Sequence, residues 1–314
     1  MRYSDALGKE SSRILLGTAY FGDTISEDTA FSIMDKFREL GGNHIDTARL
    51  YANGHAEEVV GRWFKSRGRD GMLVSTKGGY YDPDAGEAPR LSENDVRLDL
   101  KKSLEALGVD SLDFYWLHRD DEARPVQEII EYMNALVKEG YLKRFGASNW
   151  TSARIDEANT YAEAHGLQGF SASQIRFNPA YCKGERGGLV GMDENEFNYY
   201  KIHSMPVAAY SSQAKGFFSK MAEQGESALS EKARARYLCE ENLNRLEVMK
   251  KIAAQNGCSI ASVICGAFCS FNSPVVFPII GGRTLAQIVD SLNGRDIVLS
   301  DLDLYDIFKL DTRL

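Results

Sequence analysis

Residues 41–64 read Gly-Gly-Asn-His-Ile-Asp-Thr-Ala-Arg-Leu-Tyr-Ala-Asn-Gly-His-Ala-Glu-Glu-Val-Val-Gly-Arg-Trp-Phe. The pattern predicts a short strand from Asn43 to Asp46, a loop, and a helix from about His55 that buries Val59, Val60 and Trp63. Asp46 and Tyr51 therefore fall just past a strand end. A carboxylate and a phenol placed there are candidate parts of a catalytic group.

The same strand–loop–helix unit recurs on both sides. Upstream, Arg13 to Thr18 reads as an apolar strand. Ser26 then caps a helix with Glu27 and Asp28 in its first turn, Ala30, Ile33, Met34, Phe37 and Leu40 on one face, and Gly41 at its end. Downstream, strands are expected at Met72–Thr76, Leu112–Leu117, Leu142–Ala147, Phe170–Gln174, Val207–Tyr210 and Val275–Ile280. Helices are expected from Ser92 to Gly108, after Pro125, over Thr151–His165, Phe197–His203, Leu243–Ala254, Ser259–Ser270 and Ala286–Leu292.

Brief apolar strands that alternate with helices mark a parallel sheet covered on its outer face. The number of repeats fits a closed (β/α)8 TIM barrel occupying residues 1–314 as a single α/β domain with long loops at the C-terminal rim. An open doubly wound sheet is the alternative, but it binds nucleotide at a Gly-x-Gly-x-x-Gly turn. Here the first strand ends in Gly17-Thr18-Ala19-Tyr20-Phe21-Gly22, which does not match. The least regular stretches, Asn178–Glu194 and Ser211–Asn242, are long enough to be functional loops.

Composition narrows the class. The 314 residues are 43% hydrophobic and 26% charged, with a formal net charge of −8. That acidic balance argues against a nucleic-acid partner. No apolar run reaches the length of a membrane span, and the start of the chain is polar rather than signal-like. Five cysteines, an odd number without a Cys-x-x-Cys pair, read as reduced thiols of a cytoplasmic protein.

In a barrel the strand C-termini converge on one rim, where active sites form. Asp46, Lys77 in Ser75-Thr76-Lys77, and His118 in Trp116-Leu117-His118 each lie at or just past an expected strand end. Tyr51 follows shortly after the second. Carbonyl reduction needs a hydride donor and a proton donor. A phenol with a reference pKa of about 10 is a poor acid near neutral pH unless tuned. A nearby ammonium favours the phenolate, and a carboxylate keeps that ammonium charged and fixed. Tyr51, Lys77 and Asp46 thus form a plausible relay, with His118 donating a hydrogen bond to the carbonyl oxygen.

These stretches resemble the aldo-keto reductase signature, in which Gly-x-Asn-x-x-Asp-Thr-Ala-x-x-Tyr precedes a Glu-rich helix start. The resemblance implies an NADP(H)-dependent reductase, with NAD(H) as the alternative cofactor, acting on an aldehyde or ketone. It assigns Asp46, Tyr51, Lys77 and His118 the same four roles. It extends over Arg13 to Leu292. Gly146-Ala147-Ser148-Asn149-Trp150 is similar to the family's strand end at which Ser148 and Asn149 meet the nicotinamide carboxamide, with Gln174 the next such contact. Tyr210 matches the ring stacked on the nicotinamide. Ser211 to Phe218, with Ser211, Gln213, Lys215 and Gly216, resembles the loop over the pyrophosphate. Ile280-Gly281-Gly282-Arg283-Thr284, followed by Gln287, matches the phosphate and adenosine site. The chain departs from the family in having Ala52-Asn53-Gly54 after the tyrosine and Asp290-Ser291 where Glu-Asn is frequent.

Two other readings compete. A metal hydrolase on the same barrel could draw ligands from His44, Asp46, His55, His118 and His203, but no dense cluster supports it. A cofactor-binding, redox-sensing regulatory subunit would keep the nucleotide and lose turnover. The substrate is expected to be a small-molecule carbonyl. Tyr20, Phe21, Tyr80 and Tyr81 are expected as aromatic walls at the rim, and Arg119 as a polar group favouring hydroxylated carbonyls over alkyl chains. Nothing in the sequence sets the oligomeric state.

Overall fold

A computed structural model describes residues 1–81, 88–183 and 188–312. Eight parallel strands close into a barrel in chain order: β3 (Leu15–Gly17), β4 (His44–Asp46), β5 (Leu73–Gly78), β6 (Phe114–Leu117), β7 (Phe145–Ser148), β8 (Ser173–Arg176), β9 (Val207–Tyr210) and β10 (Val276–Ile280). The last strand pairs with the first, Ile279 opposite Leu15. Arg13 reinforces this seam. Its buried guanidinium donates to Phe271 O at 2.7 Å and Val276 O at 3.2 Å.

The helices are α1 (Glu27–Glu39), α2 (His55–Arg67), α3 (Glu93–Leu107), α4 (Val126–Lys138), α5 (Ser152–Ala164), α6 (Glu194–Ile202), α7 (Phe217–Gln224), α8 (Glu231–Tyr237), α9 (Glu240–Asn256), α10 (Ile260–Ser270), α11 (Leu285–Leu292) and α12 (Asp301–Phe308). Side-chain caps start many of them. Ser26, Ser92 and Thr151 each accept a backbone N–H from three residues on, satisfying an end group the helix cannot.

Strand alternation sorts the core into two layers. Ile14, Leu16, Ile45, Val74, Tyr115, Leu117, Ala147 and Ile175 face the helices in the larger cluster. Leu15, Phe114, Trp116, Ala172, Ala208 and Phe277 fill the barrel interior. Gly146 makes room for this filling. A Cβ there would stand 2.6 Å from the Trp116 ring. The inner face of β4 and β5 is different, because it carries His44, Asp46, Ser75 and Lys77, all buried.

A hairpin of β1 (Tyr3–Ser4) and β2 (Ser11–Ser12), not anticipated from sequence, closes the N-terminal floor of the barrel. Leu7 from its turn joins the interior cluster. Ser12 N donates to Asn43 Oδ1 at 2.7 Å, and Asn43 Nδ2 donates to Glu10 O at 2.9 Å, tying the hairpin to the start of β4.

The stretch Ser211–Asn242, expected as loop, contains α7 and α8. Their apolar spacing is too short to read as periodic, yet Phe217, Phe218 and Tyr237 are buried. β8 lies later than the expected Phe170–Gln174, running from Ser173 to Arg176. The C-terminal α12 was not anticipated. Within the other expected loop, residues 184–187 lie outside those described. Among the described residues no single helix is long and apolar enough to cross a membrane.

Candidate active site

Asp46 ends β4 and Lys77 lies one residue before the end of β5, both 1% exposed. Lys77 Nζ donates to Asp46 Oδ2 at 2.6 Å and to Thr47 O at 2.7 Å. Its ammonium also lies 4.7 Å from the centre of the Tyr51 ring. Asp46 Oδ1 accepts from Ser75 Oγ at 3.0 Å and from Gln174 Nε2 at 3.1 Å. The carboxylate is thus held by three side chains from two strands.

Tyr51 opens a single 3-10 turn, Tyr51–Gly54. Ala52 (φ 49°), Asn53 (φ 56°) and Gly54 (φ 96°) are successively left-handed. This turn is braced from α2. Arg49 Nη1 pairs with Glu57 Oε2 at 2.8 Å, and Arg49 Nη2 donates to Asn53 O at 3.3 Å. Glu57, fully buried, also accepts from Thr76 Oγ1 at 2.5 Å on the outer face of β5. A Cβ at Gly54 would strike the Arg49 guanidinium, so glycine is required by space as well as by φ. Sequence reasoning did not single out Arg49 or Glu57, although the acidic helix start was the available signal.

His118 follows β6, with its ring 6.1 Å from that of Tyr51, edge to face. Burial, then the Lys77 and Arg119 charges, hold its imidazole well below the usual histidine range, so it is neutral. Its Nδ1 has no hydrogen-bond partner among the described residues. Burial pushes the Tyr51 phenol above the ordinary tyrosine value, and the Lys77 ammonium only partly offsets this. The expectation of a lowered phenol is therefore reversed, because desolvation outweighs the cation. Burial alone pulls Lys77 down, but Asp46 and then Tyr51 keep its ammonium above the usual lysine value.

Along the rim from β7 to β9, Asn149 (φ 60°) accepts from the Tyr210 hydroxyl at 2.7 Å and donates to Ser148 Oγ at 3.2 Å and His118 O at 3.4 Å. Gln174 is beneath them, turned to Asp46. Ser211, Ala214, Lys215 and Gly216 all have positive φ, a turn of the kind that directs backbone amides to one side, where an anion can bind. Gln213 points inward and donates to Ser291 Oγ at 2.9 Å, bracing α11 rather than opening to the rim. Past β10, Gly281 is open to solvent on its Cβ side, and Arg283 N donates to Gln287 Oε1 at 2.8 Å. The Arg283 side chain is exposed and forms no ion pair among the described residues.

The aromatic residues divide. Tyr80 lies 4.8 Å from His118 and 4.1 Å from Tyr81, and the Arg119 guanidinium covers Tyr80 at 5.4 Å. Tyr20 is 45% exposed. Phe21 is 1% exposed and packs in the helix-facing core, so it does not form a wall. Its chain turns back through Phe21 N to Thr18 O and a bridge to Ile25, which drives the ring inward. Asp120 and Asp121 point away, toward Arg154 at 3.3 Å and Arg124 at 3.8 Å. Among the described residues no group of three or more His, Cys, Asp or Glu side chains is placed to hold a metal ion.

Residues 13–311 match the profile of the Aldo/keto reductase family. The chain belongs to the aldo-keto reductase family. Norsolorinic acid reductase B of Dothistroma septosporum is 31% identical, over 94% of this chain and 77% of that protein. The putative aryl-alcohol dehydrogenase AAD14 of Saccharomyces cerevisiae is 27% identical, over 95% and 82%. A thermostable aldo-keto reductase, Tm1743, solved with the inhibitor epalrestat, shares the fold at a TM-score of 0.73 and 20% identity, covering 98% of this chain and 99% of that one. This aldo-keto reductase is accordingly an oxidoreductase acting on carbonyl groups, and none of these relatives is named as a regulatory subunit. The family takes NAD(P)H, and the rim fits such a group. It offers the Ser148 and Asn149 side chains, the left-handed turn at Ala214–Gly216, and an exposed arginine beside a helix start.

Proposed function

We propose that residues 1–314 act as a single barrel that reduces hydroxylated aldehydes or ketones with NADPH, Tyr51 giving the proton. The observation that carries this reading is the Lys77 ammonium, held 2.6 Å from Asp46 and facing the Tyr51 ring at 4.7 Å. A dinucleotide held at the rim would supply the hydride for the carbonyl carbon. Ser148, Asn149, Tyr210, Ser211, Lys215 and Gly216 would hold its nicotinamide and pyrophosphate, and Gly281, Arg283 and Gln287 its adenosine phosphate. Gln174 and Gln213 support other side chains instead.

As the carbonyl oxygen gains negative charge, neutral His118 donates to it and keeps it against the Tyr51 hydroxyl. The phenol then gives up its proton, and the ammonium beside it stabilises the phenolate left behind. The Tyr80–Tyr81 pair and Arg119 favour a ring-bearing, hydroxylated substrate. The relatives' names, a norsolorinic acid reductase and an aryl-alcohol dehydrogenase, are in keeping with an aryl carbonyl. The cysteines, free of disulfides among the described residues, suit a reducing cytoplasm.

Tyr51→Phe tests the reading. Turnover of a hydroxybenzaldehyde should fall by at least ~10²-fold, the usual contribution of a positioned acid, while NADPH fluorescence quenching is unchanged. Turnover near the wild-type rate would remove Tyr51 as the acid.

A further inference from the structure

The barrel interior is apolar at most depths, but beneath Asp46 it is not. His44, 1% exposed, lies two residues before Asp46 on the same inner face of β4. Its Nε2 is 3.1 Å from Ser75 Oγ, and its Nδ1 is 2.9 Å from Ser11 Oγ of the floor hairpin. Ser75 Oγ in turn is 3.0 Å from Asp46 Oδ1. An unbroken line of polar atoms therefore runs from the closed floor to the carboxylate.

The direction of each bond follows from counting protons. The Asp46 carboxylate, paired with the Lys77 ammonium at 2.6 Å, only accepts, so the single Ser75 hydroxyl proton goes to it. The Ser75 oxygen must then accept from His44, which puts a proton on Nε2. In a neutral ring Nδ1 accepts from the Ser11 hydroxyl at 2.9 Å, whose other acceptor is Ser12 O at 3.1 Å. The surroundings agree with a neutral ring. Burial brings His44 down to about 4, against the pull of Asp46 and Asp113, with Lys77 acting in the same sense as burial. An apolar side chain would fill this depth as well as the Phe114 and Phe277 rings fill it elsewhere, without the cost of burying an imidazole.

We infer that His44 and Ser75, with Gln174 beside them, are positioning residues that orient the Asp46 carboxylate, and through it Lys77 against Tyr51. This rests on the reading of Tyr51 as the proton donor. Donors on Oδ1 leave Oδ2 for Lys77, and they neutralise part of a charge that otherwise opposes loss of the Tyr51 proton. Tyr51 is also faced by Lys77, Tyr20 and the His118 ring, none of which the support touches except through Asp46.

Two measurements test it. Histidine 15N NMR of the free protein, with His44 assigned by its absence in His44→Gln, should show a neutral Nε2–H ring from pH 6 to 8. In Asp46→Ala that preference should weaken, since the acceptor that sets it is gone. In steady-state reduction, Ser75→Ala should lower kcat about 10-fold with the NADPH dissociation constant changed less than about twofold, and Ser75→Thr should recover most of it. A His44 ring protonated on Nδ1 or doubly protonated at pH 7 overturns the inference. So does Ser75→Ala turning over as wild type, or Ser75→Thr falling as far as Ser75→Ala, which marks packing alone. If Tyr51→Phe stays active, the proton-donor reading fails instead, while the tautomer still reports the support directly.

Discussion

Arg119 stands over Tyr80, its Cζ 5.4 Å from the ring centre, and donates to Gly188 O at 2.5 Å. Tyr80 leans on His118 in turn, so an aromatic column joins the histidine to a guanidinium at the mouth. A hydroxylated substrate can use that guanidinium, whereas an alkyl chain leaves donors unpaired. Comparing kcat/KM for a hydroxylated and an alkyl aldehyde of equal length should favour the first. Arg119→Ala should narrow the ratio by weakening only the polar substrate. A wild-type preference for the alkyl chain would make the column an ordinary hydrophobic wall.

On the proposed reading Arg283 selects NADPH over NADH. Guanidinium meets a phosphate with paired, charge-assisted hydrogen bonds. Arg283→Ala should weaken NADPH by roughly 1.5–3 kcal/mol and leave NADH nearly unchanged. Fluorescence titration with both nucleotides decides it, and equal losses would show that Arg283 does not read the 2′-phosphate.

The pH dependence follows from the two shifts at the site. If Tyr51 gives the proton, as proposed, kcat for reduction should stay level while the phenol is protonated and fall as pH climbs through its pKa. Burial holds that pKa above the ordinary tyrosine value of about 10. Alcohol oxidation requires the phenolate and should rise over the same range. His118 is neutral because burial, Lys77 and Arg119 all lower it, so reduction should show no acid limb between about pH 6 and 8. Lys77→Met removes the cation that partly offsets burial, and the alkaline limb should then move higher still. A limb at lower pH in that variant would contradict the assignment.

Ala52 holds φ 49° and ψ 37°, a conformation that costs an L-residue about 1–2 kcal/mol. Glycine removes that cost but is freer in the unfolded chain by about 0.5–1 kcal/mol. Ala52→Gly should therefore stabilise the protein by roughly 0.5–1 kcal/mol. Urea unfolding at constant m-value measures it. Destabilisation would mean the Ala52 methyl packs too well to lose.

The alternation of strand and helix was readable because the strands are short and several of the helices between them start at a side-chain cap such as Ser26, Ser92 or Thr151. Asp46, Lys77 and His118 were readable as a group because a closed barrel gathers strand ends whatever their separation in sequence. What escaped was orientation. Phe21 and Tyr20 are neighbours with the same composition argument, yet a tight turn buries one ring and exposes the other. Gln174 lies 128 positions from Asp46, and its amide meets that carboxylate only because barrel closure sets the register. The phenol's upward shift was missed because a sequence names charges but not how little water reaches them.

The floor hairpin has a consequence for how such an enzyme can be re-engineered. On the inference above, the support for Asp46 starts at Ser11, on the floor of the barrel away from the rim. The loops that meet the substrate contribute nothing to that footing. Exchanging the stretches that carry Tyr80, Tyr81 and Arg119 between relatives should therefore retarget selectivity while Asp46 stays seated, whereas a chimera joined between the hairpin and the barrel would put chemistry at risk far from the rim.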